Sequence, residues 1–283
     1  MSSPVHVIGA SGRSGLALCR ALAAANVTAV PVVRDAAKWR AGGGTAPARV
    51  ADLTDSVALR AALGDAARIV SCAHARHTPA ILEAAPRPAR LVLLGSTRRF
   101  TRWPDAHGLG VQAGEAALLA SGRDGVMLHP TMIYGAQGED NVQRLAALLR
   151  RLPLVPLPGG GQALVQPIHQ DDVTRCVMAA LAVAWGTPRA LVIAGPAAMP
   201  YADFVRAVAR AAGLAAPRIV PVPAWALIAA SPLTALPFLP RIRADEIRRL
   251  LEDKAFRIDD MQGTLGVMPV PLEAGLQRTF PAA

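Results

Sequence analysis

The chain has 283 residues, enough for one large α/β domain or for a core with a smaller lobe attached. Hydrophobic residues make up 52% of it and the mean hydropathy is +0.32, a composition that excludes an intrinsically disordered chain. The net charge of +10 rests on 30 basic against 20 acidic residues, but the arginines are scattered and carry no interleaved aromatics, so nucleic acid is not an expected partner. Cys19, Cys72 and Cys176 are odd in number and lie in apolar runs, with neither metal-ligand nor disulfide spacing. They predict a reducing, cytoplasmic setting and no metal. No charged stretch followed by a long apolar one opens the chain, so no signal peptide is expected. Residues 219–240 are apolar, yet Pro221, Pro223, Pro232, Pro237 and Pro240 interrupt them. That segment is expected as buried helix or pocket wall, not as an integral membrane span, with peripheral membrane contact as the lesser alternative.

In chain order, residues 4–8 form a short apolar run ending in glycine and read as a buried strand. Residues 14–26 carry Leu16, Cys19 and Leu22 at helical spacing, and 27–33 read as a second strand. This β-α-β unit implies parallel pairing with a right-handed crossover. Helices over 58–63, 78–85 and 111–121 then alternate with strands over 67–73, 91–95 and 125–133. The alternation predicts an α/β fold with a doubly wound parallel Rossmann sheet. After Tyr134-Gly135 the pattern changes. An amphipathic helix over 141–152 leads to a Pro- and Gly-rich loop and turn over 153–161. A helix over 171–184, capped by Asp171 or Asp172, precedes a strand over 190–194 and a helix over 203–212. Residues 1–135 are therefore expected to form a nucleotide-binding core, and 136–283 mainly a smaller, mostly helical lobe for substrate or partner. The stretch 164–194 is expected to return to the core.

Gly9-Ala10-Ser11-Gly12-Arg13-Ser14-Gly15 joins the first strand to the first helix. In that context Gly9 permits the tight turn, Gly12 lets a pyrophosphate approach the backbone, and Gly15 lets helix and strand pack closely. The amides of the helix N-terminus then point at the phosphates. At the end of the second strand an NAD site usually offers a carboxylate to the ribose, whereas a 2′-phosphate calls for arginine. Here the strand ends Val33-Arg34-Asp35, and Arg13 lies inside the loop. Two arginines at one corner favour NADP(H); Asp35 keeps NAD as the alternative.

These residues resemble the short-chain dehydrogenase/reductase superfamily in its extended and atypical, epimerase/dehydratase-like branches, over nearly the whole chain. Asp52-Leu53 resembles the family's acidic motif near the adenine, and Leu94-Gly95-Ser96-Thr97 resembles the strand end that carries a catalytic Ser or Thr. His129-Pro130-Thr131-Met132-Ile133-Tyr134-Gly135 is similar to an R-P-x-x-x-Y-G motif closing on the nicotinamide, with His in place of Arg. Gln166 to Val173 is similar to a V-H-V-D-D-V stretch. The resemblance implies cofactor contacts from Gly9, Ser11, Gly12, Arg13, Ser14, Gly15, Arg34, Asp52, Leu53, Ala73, His74, Pro130 and Ile133.

The family's Tyr-x-x-x-Lys pair is absent. Four residues beyond Tyr134 and Tyr201 stand Gly138 and Val205, and by spacing from Glu115 the expected positions fall near His107 or Gly108 and near Gln112. Candidate substitutes are His107 as acid/base, and Ser96 and Thr97 as donors to a substrate carbonyl, against incidental or strand-end capping roles. His74 and His77 lack a third partner for a metal, and His169 is expected to stabilise the turn before its helix. Two functions remain open. One is an NADP(H)-dependent oxidoreductase acting on a small apolar carbonyl compound or electron acceptor, in which positioning substitutes for a strong general acid. The other is a non-catalytic NAD(P)(H)-binding redox sensor or assembly module, as in regulator-like relatives and the Rossmann accessory subunit of respiratory complex I.

Overall fold

A computed structural model describes residues 3–135, 140–152, 154–231 and 244–280. Seven parallel strands form the central sheet: β1 (Val5–Ile8), β2 (Ala29–Val33), β3 (Arg49–Val50), β4 (Arg68–Ser71), β5 (Arg90–Leu94), β6 (Gly125–Pro130) and, after four short strands elsewhere, β11 (Arg189–Ile193). Their order is β11-β6-β5-β4-β1-β2-β3. The chain therefore winds outward in two directions from a switch between β1 and β4, and the crevice beyond those two strand ends is where such sheets bind ligands.

Alternation along each strand supplies two cores. On one face Val5, Val7, Val92, Leu94 and Leu128 pack against α1 (Arg13–Ala24) and α7 (Gln170–Ala182). On the other, Ile8, Leu91, Leu93 and Met127 pack against α3 (Ser56–Leu63), α4 (Thr78–Ala84) and α5 (Ala106–Ala120). Strands covered on both faces bury nearly every residue, which is why they read as continuous apolar runs. The short helix α2 (Ala36–Ala41) follows β2.

The remaining elements are mostly helical: α6 (Asp140–Arg151), α8 (Tyr201–Ala211), α9 (Ala224–Ala230), α10 (Ala244–Arg249), α11 (Asp259–Leu265) and α12 (Leu272–Thr279). Tyr134, Val142, Phe204, Val208 and Leu276 form a separate apolar cluster among α6, α8 and α12. Small two-stranded ladders join β7 (Ile133–Tyr134) to β10 (Ile168–His169), β9 (Leu164–Val165) to β12 (Met199–Pro200), and β8 (Leu154–Pro158) to β13 (Arg218–Val222).

Several local expectations are corrected. The Pro- and Gly-rich stretch after 153 is a strand at Leu154–Pro158 and only then a turn. Both strands of its ladder are edges, where the missing proline N–H groups cost no pairing. The expected strand over 125–133 ends at Pro130, and Ile133-Tyr134 turns away to β10. The cap of α7 is His169, whose Nδ1 accepts from Asp171 N–H at 3.2 Å, not Asp171 or Asp172. Asp172 is fully buried instead, held by Arg175 and by the Val270 amide at 2.8 Å. Of the apolar segment 219–240, residues up to 222 are strand and 224–230 are helix; Pro232, Pro237 and Pro240 lie outside the described residues. Among the described residues no helix is long and apolar enough to cross a membrane.

Candidate functional site

The glycine turn sits at the β1/β4 switch. Gly9 has φ +74°, a left-handed conformation that favours glycine, and a Cβ there would press on the backbone of Cys72 and Ala73 at 3.1–3.2 Å. A Cβ at Gly15 would overlap the Gly9 carbonyl oxygen and lie 2.7 Å from Ala10 Cα, so only glycine lets α1 start this close to β1. Gly12 caps α1 with no side-chain hydrogen bond and no acidic residue in the first turn. By contrast α2, α3 and α5 are capped by Asp35, Asp55 and Asp105. The start of α1 is thus bare backbone with Arg13 beside it, an exposed corner suited to an anion. That cradle fits a dinucleotide pyrophosphate. Ser14 Oγ donates to Gln170 Oε1 at 3.1 Å, which ties the loop to α7.

Arg34 is exposed at the end of β2. Its guanidinium acts on the carboxylate of Asp52, whose Oδ1 accepts from the Thr54 amide at 2.9 Å and hydroxyl at 2.7 Å. Those hydrogen bonds hold Asp52 below the usual carboxylate range. Leu53 packs on the α3 side of the sheet. Asp35 is drawn into local work: its Oδ1 accepts from Ala37 and Lys38 N–H at 2.8 and 3.1 Å, capping α2. Pro130 ends β6 inside the sheet, whereas Ile133 lies in the β7–β10 ladder and packs toward α7.

Beyond the crevice, two histidines meet. His74, after β4, and His107, in the first turn of α5, stand with ring centroids 4.1 Å apart in an edge-to-face arrangement. His107 is therefore helical, because α5 begins at Ala106, five residues before the start expected at 111. Burial, and then the cations and rings around it, lowers His74 to about 4; His107 is lowered too, first by burial and then by Arg98. His74 Nδ1 accepts from Arg76 N–H at 3.0 Å, leaving Nε2 buried without a partner. One helical turn after His107 stands Val111, fully buried in the core, while Gln112 donates to the Arg99 carbonyl at 2.8 Å. Neither residue offers a cation to a nicotinamide ribose. Tyr134 is also unavailable: its hydroxyl is packed beside Gly275, and burial raises its pKa.

A buried chain of groups that the sequence did not reveal holds the end of β5. Ser96 N–H donates to His129 Nδ1 at 3.1 Å, and His129 Nε2 lies 2.8 Å from Glu115 Oε2. Arg99 Nε pairs with the same carboxylate oxygen. His129 is 1% and Glu115 4% exposed. Burial keeps the imidazole neutral despite Glu115, with Nδ1 an acceptor. One signal existed: Gly95 must lack a Cβ because His129 occupies that space.

A cavity of about 700 Å³ opens beside this chain, between the ends of β5 and β6 and the region of α10. Ser96, Thr97, Phe100, Thr131, Tyr201 and Phe256 contribute to its wall. Its charged rim is largely paired. Asp105 Oδ2 takes Arg98 at 3.4 Å and Arg249 at 3.0 Å. Glu252 accepts from the Thr101 hydroxyl and the Arg102 amide, and Asp253 from the Leu164 amide. Lys254 Nζ donates to the Arg249 carbonyl at 2.5 Å. Thr97 Oγ1 donates to the Pro130 carbonyl at 3.3 Å, whereas Ser96 Oγ accepts from Arg98 N–H and retains its own hydrogen. Among the described residues no metal-ligating cluster of three forms.

No protein-family model matches the chain, and no curated protein matches it. Solved structures match over almost its whole length. A structure of an NADPH-dependent quinone oxidoreductase from Escherichia coli complexed with NADPH aligns at TM-score 0.75 and 17% identity, covering 98% of this chain and 99% of that one. A Thermus thermophilus UDP-glucose 4-epimerase in complex with NAD aligns at 0.73 and 19%, with 98% of both chains covered. A Bacillus cereus UDP-glucuronic acid 4-epimerase with UDP-glucuronic acid and NAD aligns at 0.74 and 15%, again over 98% of both. The chain thus shares the fold of these structures, the doubly wound α/β architecture expected from its sequence.

Proposed function

We propose that the chain is an NADP(H)-dependent oxidoreductase that reduces a small, uncharged carbonyl compound or quinone-like acceptor held in the 700 Å³ cavity. The observation that carries the reading is the bare start of α1. Gly9, Gly12 and Gly15 keep side chains away from its amides, and Arg13 adds positive potential at the same corner. Gly9, Ser11, Gly12, Arg13, Ser14 and Gly15 would hold the pyrophosphate. Arg34 would hold the 2′-phosphate and Asp52 and Leu53 the adenine side, with Ala73, His74, Pro130 and Ile133 toward the nicotinamide. Support for NADP(H) over NAD(H) comes from Asp35, whose Oδ1 is taken up in capping α2 while Arg34 stays exposed.

When bound, the cofactor supplies the hydride. This chain's residues orient the acceptor and handle its oxygen. Ser96 is held by the His129–Glu115–Arg99 chain with its hydroxyl hydrogen free to be donated. His107, whose pKa is lowered by burial and then by Arg98, is the candidate group to relay a proton from solvent to the reduced oxygen. Binding affinities for NADPH and NADH test the cofactor assignment. NADPH is expected to bind at least about tenfold more tightly, and Arg34→Ala to erase the difference; equal affinities in the parent protein would sink the NADP preference. Absorbance of NADPH, followed with a panel of quinones, flavins and aldehydes, tests turnover.

A second reading is favoured by Val111: an apolar core residue one turn from His107 removes the cation that assists proton transfer in the resembled enzymes. Tight NADPH binding with no turnover across that panel would establish a sensor or assembly module in place of an enzyme.

A further inference from the structure

One buried hydroxyl on the cavity wall has no partner. Thr131 follows β6 directly, is 6% exposed, and its Oγ1 makes no hydrogen bond. The backbone beside it is already engaged: its own amide donates to the Ile193 carbonyl at 3.1 Å, and the Pro130 carbonyl accepts from Thr97. A buried hydroxyl left unpaired is costly, so such a group marks a place where something else completes it. On the same wall the Ser96 hydroxyl still has a hydrogen to donate.

We propose that Thr131 and Ser96 together receive an oxygen of a flat, uncharged substrate, which makes Thr131 a specificity-determining residue of the cavity. The proposal rests on the reading of this cavity as the substrate site. The remaining wall favours a ring. The chain has only five Phe and two Tyr, yet Phe100, Phe256 and Tyr201 line this one cavity, with Phe100 and Phe256 centroids 5.6 Å apart. Aromatic walls with two hydroxyl donors suit a planar carbonyl compound such as a quinone. A nucleotide sugar's diphosphate would have to compete with Asp105 for Arg98 and Arg249.

The test is a binding measurement on the whole chain, with 1,4-naphthoquinone, naphthalene and UDP-glucose as probes. Naphthoquinone should bind at least about tenfold more tightly than naphthalene, because only it offers an oxygen to the two hydroxyls. Thr131→Val should weaken naphthoquinone about five- to tenfold, leave naphthalene within about twofold, and raise the Tm of the ligand-free protein by a degree or more. Thr131→Ser should retain the parent affinity. Equal affinity for the two ring probes, unchanged naphthoquinone affinity in Thr131→Val, a lower Tm in that variant, or tighter binding of UDP-glucose than of naphthoquinone would each overturn the proposal. NADPH oxidation by the same quinone separates this outcome from that of the proposed function. Thr131-dependent binding without turnover would sink the reductase alone; turnover with no Thr131 dependence would sink this inference alone.

Discussion

The two ends of the candidate site are built from different material. At the β1/β4 switch the ligand-facing surface is backbone, shaped by what Gly9, Gly12 and Gly15 lack. Across the crevice, between β5, β6 and α10, it is side chains, the charged ones among them largely paired. A surface made of backbone tolerates change almost anywhere except at its glycines. One made of coupled side chains spreads its sensitivity over residues far apart in sequence, such as Thr101 and Glu252.

The sharpest way to break the comparison is Gly15→Ala. A Cβ there meets backbone on both Gly9 and Ala10, so the helix must shift; a loss of about 3 kcal/mol or more is expected, with NADPH binding abolished. Gly263→Ala in α11, where nothing lies within 4 Å, should leave Tm unchanged or raised. Thermal melts of the pair decide it, and similar melts would mean that the crevice is not backbone-limited.

On the side-chain half, Glu115→Gln removes the charge that faces both Arg99 and His129 in a nearly dry environment. A loss of about 2–3 kcal/mol is expected in urea unfolding, with NADPH affinity held within about twofold. An equal loss of cofactor affinity would show the two halves to be one unit.

Acid should act on the histidines across both halves. His6, His74, His77, His107, His129 and His169 are all lowered, burial being the largest cause in each. A lowered imidazole binds fewer protons folded than unfolded, so stability is full above the unfolded value near 6.5 and is lost as pH falls toward about 4, where His74 titrates. Tm measured from pH 7.5 to 5 should fall, and His74→Asn should flatten that slope.

The smallest effect is expected from His107→Asn. If this exposed imidazole relays the proton, kcat should fall about tenfold with KM unchanged and its pH dependence lost. An unaltered kcat would assign proton delivery to water.

The same contrast explains what could be read from the sequence. The sheet was legible because strands covered on both faces are continuous apolar runs, and the glycine turn because its spacing encodes contacts within seven residues. The Leu154–Pro158 strand was hidden by its two prolines, tolerated only because its ladder has no central strand. The α7 cap was missed because two aspartates follow a histidine, and an imidazole accepting from an amide is the rarer cap. The Ser96–His129–Glu115–Arg99 chain spans three elements, so no spacing could announce it, and Thr131 stood out only through what it lacks.

Asp172 carries a consequence for anyone cutting the chain. Its carboxylate is sealed in α7 against the central sheet, yet one of its bonds comes from Val270, ninety-eight positions downstream. A fragment that stopped short of that amide would leave a buried anion half-satisfied against the α7 core, so the central sheet and its helices cannot be trimmed free as an independent module. The last strip of polypeptide works as a latch on α7, and a tag or cleavage site belongs beyond it.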